Sequence, residues 1–222
     1  MDYKEIAATV GPRDRAGTQD WVYRVQREGI VSGALRGGMQ LKQDEISSSL
    51  NVSHIPVREA LRQLEAQNLV TIHPNRGASV TELSRETLID MMQVRAAIAV
   101  AMVEISVPRM TEDDFKELDY LINEQKKCTD ALSYEKLNLK FHQLISQRAS
   151  NPVAVTVSNI IHSNIDRYLR EAFYNDPIDR AASIIEHKAL VDACRTGDPQ
   201  TVGKLLRDHI MNAVSRIPKD LK

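Results

Sequence analysis

The spacing of apolar residues along the chain changes twice, and those changes divide it. In residues 18–33, TQDWVYRVQREGIVSG, an apolar stripe of Trp21 or Val22, Val25 and the Ile30–Val31 pair recurs at helical spacing, and Gly33 marks its end. After the glycine-rich turn ALRGGMQ, Leu41, Ile46 and Leu50 line one side of a short helix within LKQDEISSSL. Asn51 follows, a residue that tolerates the left-handed backbone of a tight turn. The next stretch, NVSHIPVREALRQLEAQNLV, has Ser53 as N-cap and Pro56 in the first turn, with Val57, Ala60, Leu61 and Leu64 as its buried face. Asn68 is the stop signal. The period then falls to two. β-Branched runs at 70–72 and 79–81 flank the turn-rich HPNRG, which predicts a hairpin. Residues 1–17, with Gly11, Pro12, Gly17 and mixed charge, read as a mobile arm.

From Ser84 onward the strand pattern is gone. A long helix covers SRETLIDMMQVRAAIAVAMVEISV and stops at Pro108; a second starts at Thr111 with Asp114 and runs to about residue 127. A third spans about 133–149 and is broken by Asn151–Pro152, and a fourth spans about 152–173. YNDPID separates a fifth, about 179–196, and GDP precedes a sixth, about 199–216. Six helices with short connections are the signature of a bundle. Two helices joined by a tight turn and followed by a hairpin make a winged helix-turn-helix. The expected fold is therefore mainly α: an arm at 1–17, an N-terminal winged helix-turn-helix at 18–83 and a C-terminal all-α six-helix bundle at 84–222.

Composition acts on this picture chiefly by exclusion. A hydrophobic content of 42% and a charged content of 27% are ordinary for a globular chain. No apolar run nears the roughly 20 residues that span a bilayer, so no membrane partner is expected. The first residues lack the apolar core of a secretory signal. Cys128 and Cys194 are too few for a disulfide framework and fit free thiols in a reducing cytoplasm. Net charge is -1, and residues 1–81 carry ten Lys/Arg against nine Asp/Glu. Any binding to a polyanion must come from local placement of a few cations.

Such placement exists on the helix after Asn51. His54, Arg58 and Arg62 stand four residues apart and share one row. In a winged helix-turn-helix this second helix enters the major groove, where Arg can pair bidentately with guanine. Ser53 at the helix N-terminus is placed to bond a phosphate, and Arg76 and Gly77 at the wing tip can approach a groove. Periodicity alone equally allows a solvated face in which Arg58, Glu59 and Arg62 form surface salt bridges.

The histidines are the informative residues of the bundle. Asn138 and His142 share a helix face, and His187 and His209 sit on two later helices. Three imidazoles and an oxygen donor are a plausible shell for zinc, nickel or a similar divalent ion. His162 and Asp166 repeat the four-residue spacing, so spacing does not choose between the pairs.

The segment from Ile30 to Val80 closely resembles the DNA-binding domain of GntR-family bacterial transcription regulators. PVREAL, the Leu–Glu pair after it, a helix stop and an Arg–Gly wing carry the resemblance. It implies DNA-reading roles for Arg58 and Arg62, with Gly77 in the wing. His54 stands where Arg is usual, Asn51 and Asn68 where Gly is usual, and Gly37 where Pro is usual. The bundle resembles the FCD-like ligand-binding domain of the FadR-type branch, in a shorter six-helix, VanR-like form. Its D-x-x-F-H-like motif falls on Asn138, Phe141 and His142; a second His is His187, before Gly197–Asp198; a third is His209. The resemblance makes Asn138, His142, His187 and His209 the ligands of a divalent metal, zinc or nickel, and leaves His162 structural. Asn138 replaces a commoner Asp and removes one negative charge from the shell. The resemblance also puts Arg95 beside the metal as an effector-binding residue, with Ala99 where a Glu is frequent.

The function these readings imply is a cytoplasmic transcription regulator, a repressor, binding a pseudo-palindromic operator in double-stranded DNA as a homodimer. A small carboxylate or sugar acid at the metal would shift the placement of the two reading heads. Two alternatives stand beside it. One is a metal-dependent enzyme with a DNA-binding appendage, for which no general base accompanies the ligands in sequence. The other is a bundle that only dimerises.

Overall fold

The computed structural model describes residues 2–13, 17–74, 76–169 and 176–216. The expected end of the fourth bundle helix, at 170–173, lies outside the described residues. The chain forms two compact units, Met1–Leu83 and Ser84–Lys222.

In the first unit, α1 (Tyr3–Val10) precedes α2 (Thr18–Val31), β1 (Gln40–Leu41), α3 (Gln43–Leu50), α4 (His54–Glu65), β2 (Val70–His73) and β3 (Gly77–Val80). The segment expected as a mobile arm thus holds a helix. Asp2 and Glu5 close a capping box at its start, and Ile6 is wholly buried in the same core as Val22, Val25 and Ile30. Gly29 allows that approach: a Cβ there would stand 2.9 Å from Ile6 Cδ1 and 2.8 Å from Leu35 Cδ1. Trp21 Nε1 donates to the Gly11 carbonyl at 2.8 Å, and the Arg13 guanidinium lies 4.8 Å from the Trp21 ring centre. Arg13 Nη2 also donates to the carbonyls of Leu50 and Asn51, both at 3.0 Å. It therefore satisfies acceptors at the end of α3 that the helix leaves open.

The α3–α4 turn follows from its residues. Asn51 takes the left-handed conformation (φ 50°, ψ 58°), and Val52 N donates back to the Ser47 carbonyl at 3.0 Å. Val57, Ala60, Leu61 and Leu64 then point inward from α4 and are buried in the unit's core. Asn68 is left-handed as well (φ 58°), and it turns the chain into β2. β2 and β3 pair antiparallel, with Val70 opposite Val80 and His73 opposite Gly77. Gly77, at φ 84°, supplies the positive angle that the tip of the hairpin needs. β1 adds to the other edge of β3, giving the order β1-β3-β2. The hairpin is thus part of a three-stranded sheet whose two-residue strand is too short to show a period.

The second unit comprises α5 (Arg85–Ser106), α6 (Glu112–Lys127), α7 (Ala131–Ser146), α8 (Pro152–Leu169), α9 (Pro177–Thr196) and α10 (Pro199–Asn212). α5 runs against α10 and α8, and α6 packs on α7 and α9. Thr111 and Asp114 form the capping box that starts α6. Asp114 also accepts from Arg148 Nε and Nη2, both at 3.0 Å, and from Gln147 Nε2 at 3.0 Å. The Arg148 bond is the largest of the effects that hold its carboxyl down to about 2. Asp114 thereby ties the start of α6 to the turn after α7. No described helix is long and apolar enough to cross a membrane.

Candidate nucleic-acid interface and metal centre

α4 has two faces. Opposite its buried apolar face, His54, Arg58 and Arg62 are all exposed. The side chains of Arg58 and Arg62 make no hydrogen bond or ion pair with other described residues, and salt-bridge decoration with Glu59 does not form. His54 Nδ1 lies 3.5 Å from Asp44 Oδ1 on α3, so its ring is drawn toward the preceding helix. Ser53 occupies the N-cap position with extended backbone, and its side chain makes no capping hydrogen bond. Its exposed hydroxyl therefore sits at the positive end of α4 with its bonding capacity uncommitted. Arg76 is exposed at the wing tip, where its N–H donates to the His73 carbonyl at 3.0 Å. The unit thus presents guanidinium groups on the face of α4 and at the hairpin tip, all directed to solvent.

The bundle does the reverse and draws its histidines together inside. His142 from α7, His187 from α9 and His209 from α10 offer ring nitrogens that all lie within 4.8 Å of one another. His142 Nε2 and His209 Nε2 are 3.3 Å apart. Phe141, fully buried, stacks on the His187 ring with centroids 4.1 Å apart and fixes its plane. His187 Nδ1 lies 2.8 Å from Gln125 Oε1, and His209 Nδ1 lies 2.6 Å from Glu186 Oε2. A carbonyl and a carboxylate oxygen accept, so Nδ1 carries a proton in both rings. Glu186 is itself held by Asn212 Nδ2 at 2.7 Å. Burial first, and then the neighbouring histidines, push His142 and His187 well below the ordinary imidazole range. Both rings are therefore neutral at neutral pH, the form that ligates a cation.

The donor set fits a divalent metal. Ring nitrogens of the three histidines converge, and the Nδ1 atoms of His187 and His209 are oriented by oxygen acceptors, as in histidine-ligated metal sites generally. Asn138, one turn before His142 on α7, is buried. Together with Arg95, His142, Ser183 and His209 it lines a void of about 20 Å³, enough for an ion or one water. All four ligands expected from sequence thus fall in one place, and Arg95 lies beside them. Gln125, Ser183 and Glu186 are supporting residues that the sequence did not single out. Glu186 adjoins His187 in the chain yet holds His209, a partner that no spacing rule reveals.

A second space opens from the same residues. A cavity of about 690 Å³ is lined by Arg95 and His142, and also by His162, which the sequence reading left structural. His162 Nδ1 lies 2.9 Å from Asp166 Oδ1. The repeated four-residue spacing therefore joins these two residues to each other, and not to the triad.

Comparison with known proteins now defines the class. Residues 18–80 match the family model described as bacterial regulatory proteins, gntR family, and residues 90–212 match the FCD domain. The second match alone covers more than half of the chain, and the chain belongs to this family of GntR regulators with an FCD domain. It is similar to the HTH-type transcriptional repressor RspR of Escherichia coli (strain K12), with 26% identity over 193 residues, 85% of this chain and 84% of that protein. It is also similar to a probable D-xylose utilization operon transcriptional repressor of Paenarthrobacter nicotinovorans, with 26% identity over 184 residues, 82% of this chain and 80% of that protein. The solved structure of E. coli McbR/YncC shares the fold, with a TM-score of 0.73 and 21% identity over 89% of this chain and 95% of that one. The matched families and these relatives are regulators, so the chain is a DNA-binding transcription regulator and not an enzyme. α1 lies outside both matched regions.

Proposed function

We propose that the protein is a repressor whose operator affinity is set by an organic acid bound beside a metal ion in the bundle. The observation that carries this reading is the convergence of three histidines next to Arg95, at the edge of a cavity. His142, His187 and His209 hold the metal, zinc or nickel, with Asn138 as the oxygen donor. The metal supplies a fixed positive charge and open positions for a carboxylate. Arg95 pairs with the same carboxylate through its guanidinium. The Asn138 amide leaves the shell one negative charge short of an Asp-bearing one, which favours an anionic ligand.

On the DNA side, Arg58 and Arg62 read bases in the major groove, Ser53 and His54 contact the backbone or neighbouring bases at the helix start, and Arg76 and Gly77 enter from the wing. The repressor assignment follows the names of the relatives. The protein acts in the cytoplasm as a homodimer on a pseudo-palindromic site, because one recognition helix reads too few base pairs to be selective. The acid controls the operator only through different affinities for the two states of the dimer.

Elemental analysis of protein purified without added metal tests the first half of this reading. One equivalent of a divalent ion per chain, absent from His187→Ala, is expected. Absence of metal, with no thermal shift on adding zinc or nickel, would contradict it. Gel shifts with DNA from upstream of its own gene test the second half.

A further inference from the structure

The cavity next to the histidines says what kind of acid fits. Its volume, about 690 Å³, is in the range of pockets that enclose drug-sized molecules, far more than a two- or three-carbon acid fills. Its charge lies at one end. Arg95 is the one permanently charged residue of the described lining, and it adjoins His142 of the triad. No acidic side chain and no lysine lines it among the described residues.

By exposed area the rest of the wall is mostly apolar, although nine polar residues also line it among the described residues. Ala99 and Met102 from α5, Leu139 from α7, Val155 from α8, and Leu206 and Ile210 from α10 face the cavity. Of those polar residues, Asn151 accepts from Ala154 N at 3.1 Å, and Gln147 and Thr156 are committed as well. Gln147 Nε2 donates to Asp114 Oδ1 at 3.0 Å, and Thr156 Oγ1 donates to the Pro152 carbonyl at 2.9 Å. A second carboxylate would be buried without a counter-charge, and a polyol would set most of its hydroxyls against a surface that is apolar by area; both cost free energy. Ala99 matters here in particular, because its short side chain one turn after Arg95 leaves the apolar space open beside the guanidinium.

We infer that the effector is a monocarboxylic acid with an apolar alkyl or aryl body, its carboxylate at Arg95 and the metal and its body in the cavity beyond. This rests on the proposed function, and narrows it from small carboxylates and sugar acids to head-and-tail acids.

The test is isothermal titration of the full-length, zinc-loaded protein with acetate, butanoate, hexanoate, octanoate and 3-phenylpropanoate, and with gluconate and citrate. Burial of methylenes predicts that affinity rises about fourfold per added carbon from butanoate to octanoate. Gluconate and citrate bind more weakly than octanoate. Arg95→Ala weakens every monocarboxylate at least tenfold. Ala99→Leu, which fills the space beside Arg95, weakens octanoate at least tenfold. Val155→Asn, at a position 47% exposed and so harmless to folding, weakens octanoate several-fold and spares acetate. An affinity that is flat from acetate to octanoate, or tighter binding of gluconate or citrate, overturns the inference while an Arg95-dependent metal pocket stands. Failure of the zinc-loaded protein to bind any of these acids overturns both.

Discussion

The two units carry their chemistry in opposite ways. On α4 the side chains that matter point outward, and Arg58 and Arg62 are exposed with no side-chain partner among the described residues. In the bundle they point inward, and His187 is fully buried, stacked on Phe141 and held by Gln125. A surface for a large polyanion has to leave its cations free, because each partner in the protein would compete with a phosphate or a base. A metal centre has to do the opposite and fix every donor before the ion arrives. The contrast teaches that a mutation in the first region should change binding and spare the fold, whereas one in the second should change both.

His142→Ala breaks this contrast most severely. It removes one of the converging Nε2 donors, and metal affinity is expected to fall at least 100-fold, beyond the usual loss for supporting residues. Competition with a chromogenic chelator measures it, and unchanged affinity would remove His142 from the shell. Arg58→Ala comes next. Operator affinity should fall by about 1–3 kcal/mol, with the urea midpoint unchanged. Anisotropy titrations at two salt concentrations separate base from phosphate contacts, because a lost phosphate contact also lowers the salt slope. Gln125→Ala leaves all ligands in place but frees the His187 ring, so metal affinity should drop about tenfold. An unaltered value would mean that Phe141 stacking alone orients that ring.

Asp114 gives the smallest effect and a sign that can be worked out. Its carboxyl is held at about 2 in the folded protein against an ordinary 3.8, first by Arg148. A depressed carboxylate stabilises the fold fully above 3.8, and that contribution disappears as pH falls through 3.8 toward 2. Arg148 is 42% exposed, so water screens the pair and the expected contribution is about 1–2 kcal/mol. Asp114→Asn should lower the urea midpoint at pH 6, and the gap from the parent protein should narrow as pH falls below 3.8 toward 2. A gap that stays constant across that range would assign the effect to the capping box alone.

How far the sequence reveals each region follows from the same contrast. The face of α4 is legible because its outward row is the complement of an apolar stripe, and one period encodes both. The turns at Asn51 and Asn68 are legible because few residues take left-handed angles. The histidine triad is not legible from spacing. His162–Asp166 has the same four-residue separation as Asn138–His142, and only packing of three helices distinguishes them; the family resemblance supplied what the period could not. α1 is hidden in the sequence for a related reason. Its glycine-flanked, charged sequence looks like an arm, and the feature that docks it, the missing side chain at Gly29, belongs to another helix. Glu186 and Gln125 are not legible because their partners lie 23 and 62 residues away.

The central claim is that an acid bound in the bundle controls what α4 does on DNA. Its most direct test is the anisotropy of labelled DNA from upstream of the gene, titrated with full-length, zinc-loaded protein with and without the monocarboxylates, gluconate and citrate. The account predicts a salt-sensitive, sequence-specific complex whose affinity shifts at least fivefold with an acid that the protein binds. In Arg95→Ala the shift should vanish while acid-free DNA affinity stays the same. A specific complex whose affinity is indifferent to every acid, or an equal shift in Arg95→Ala, would contradict it.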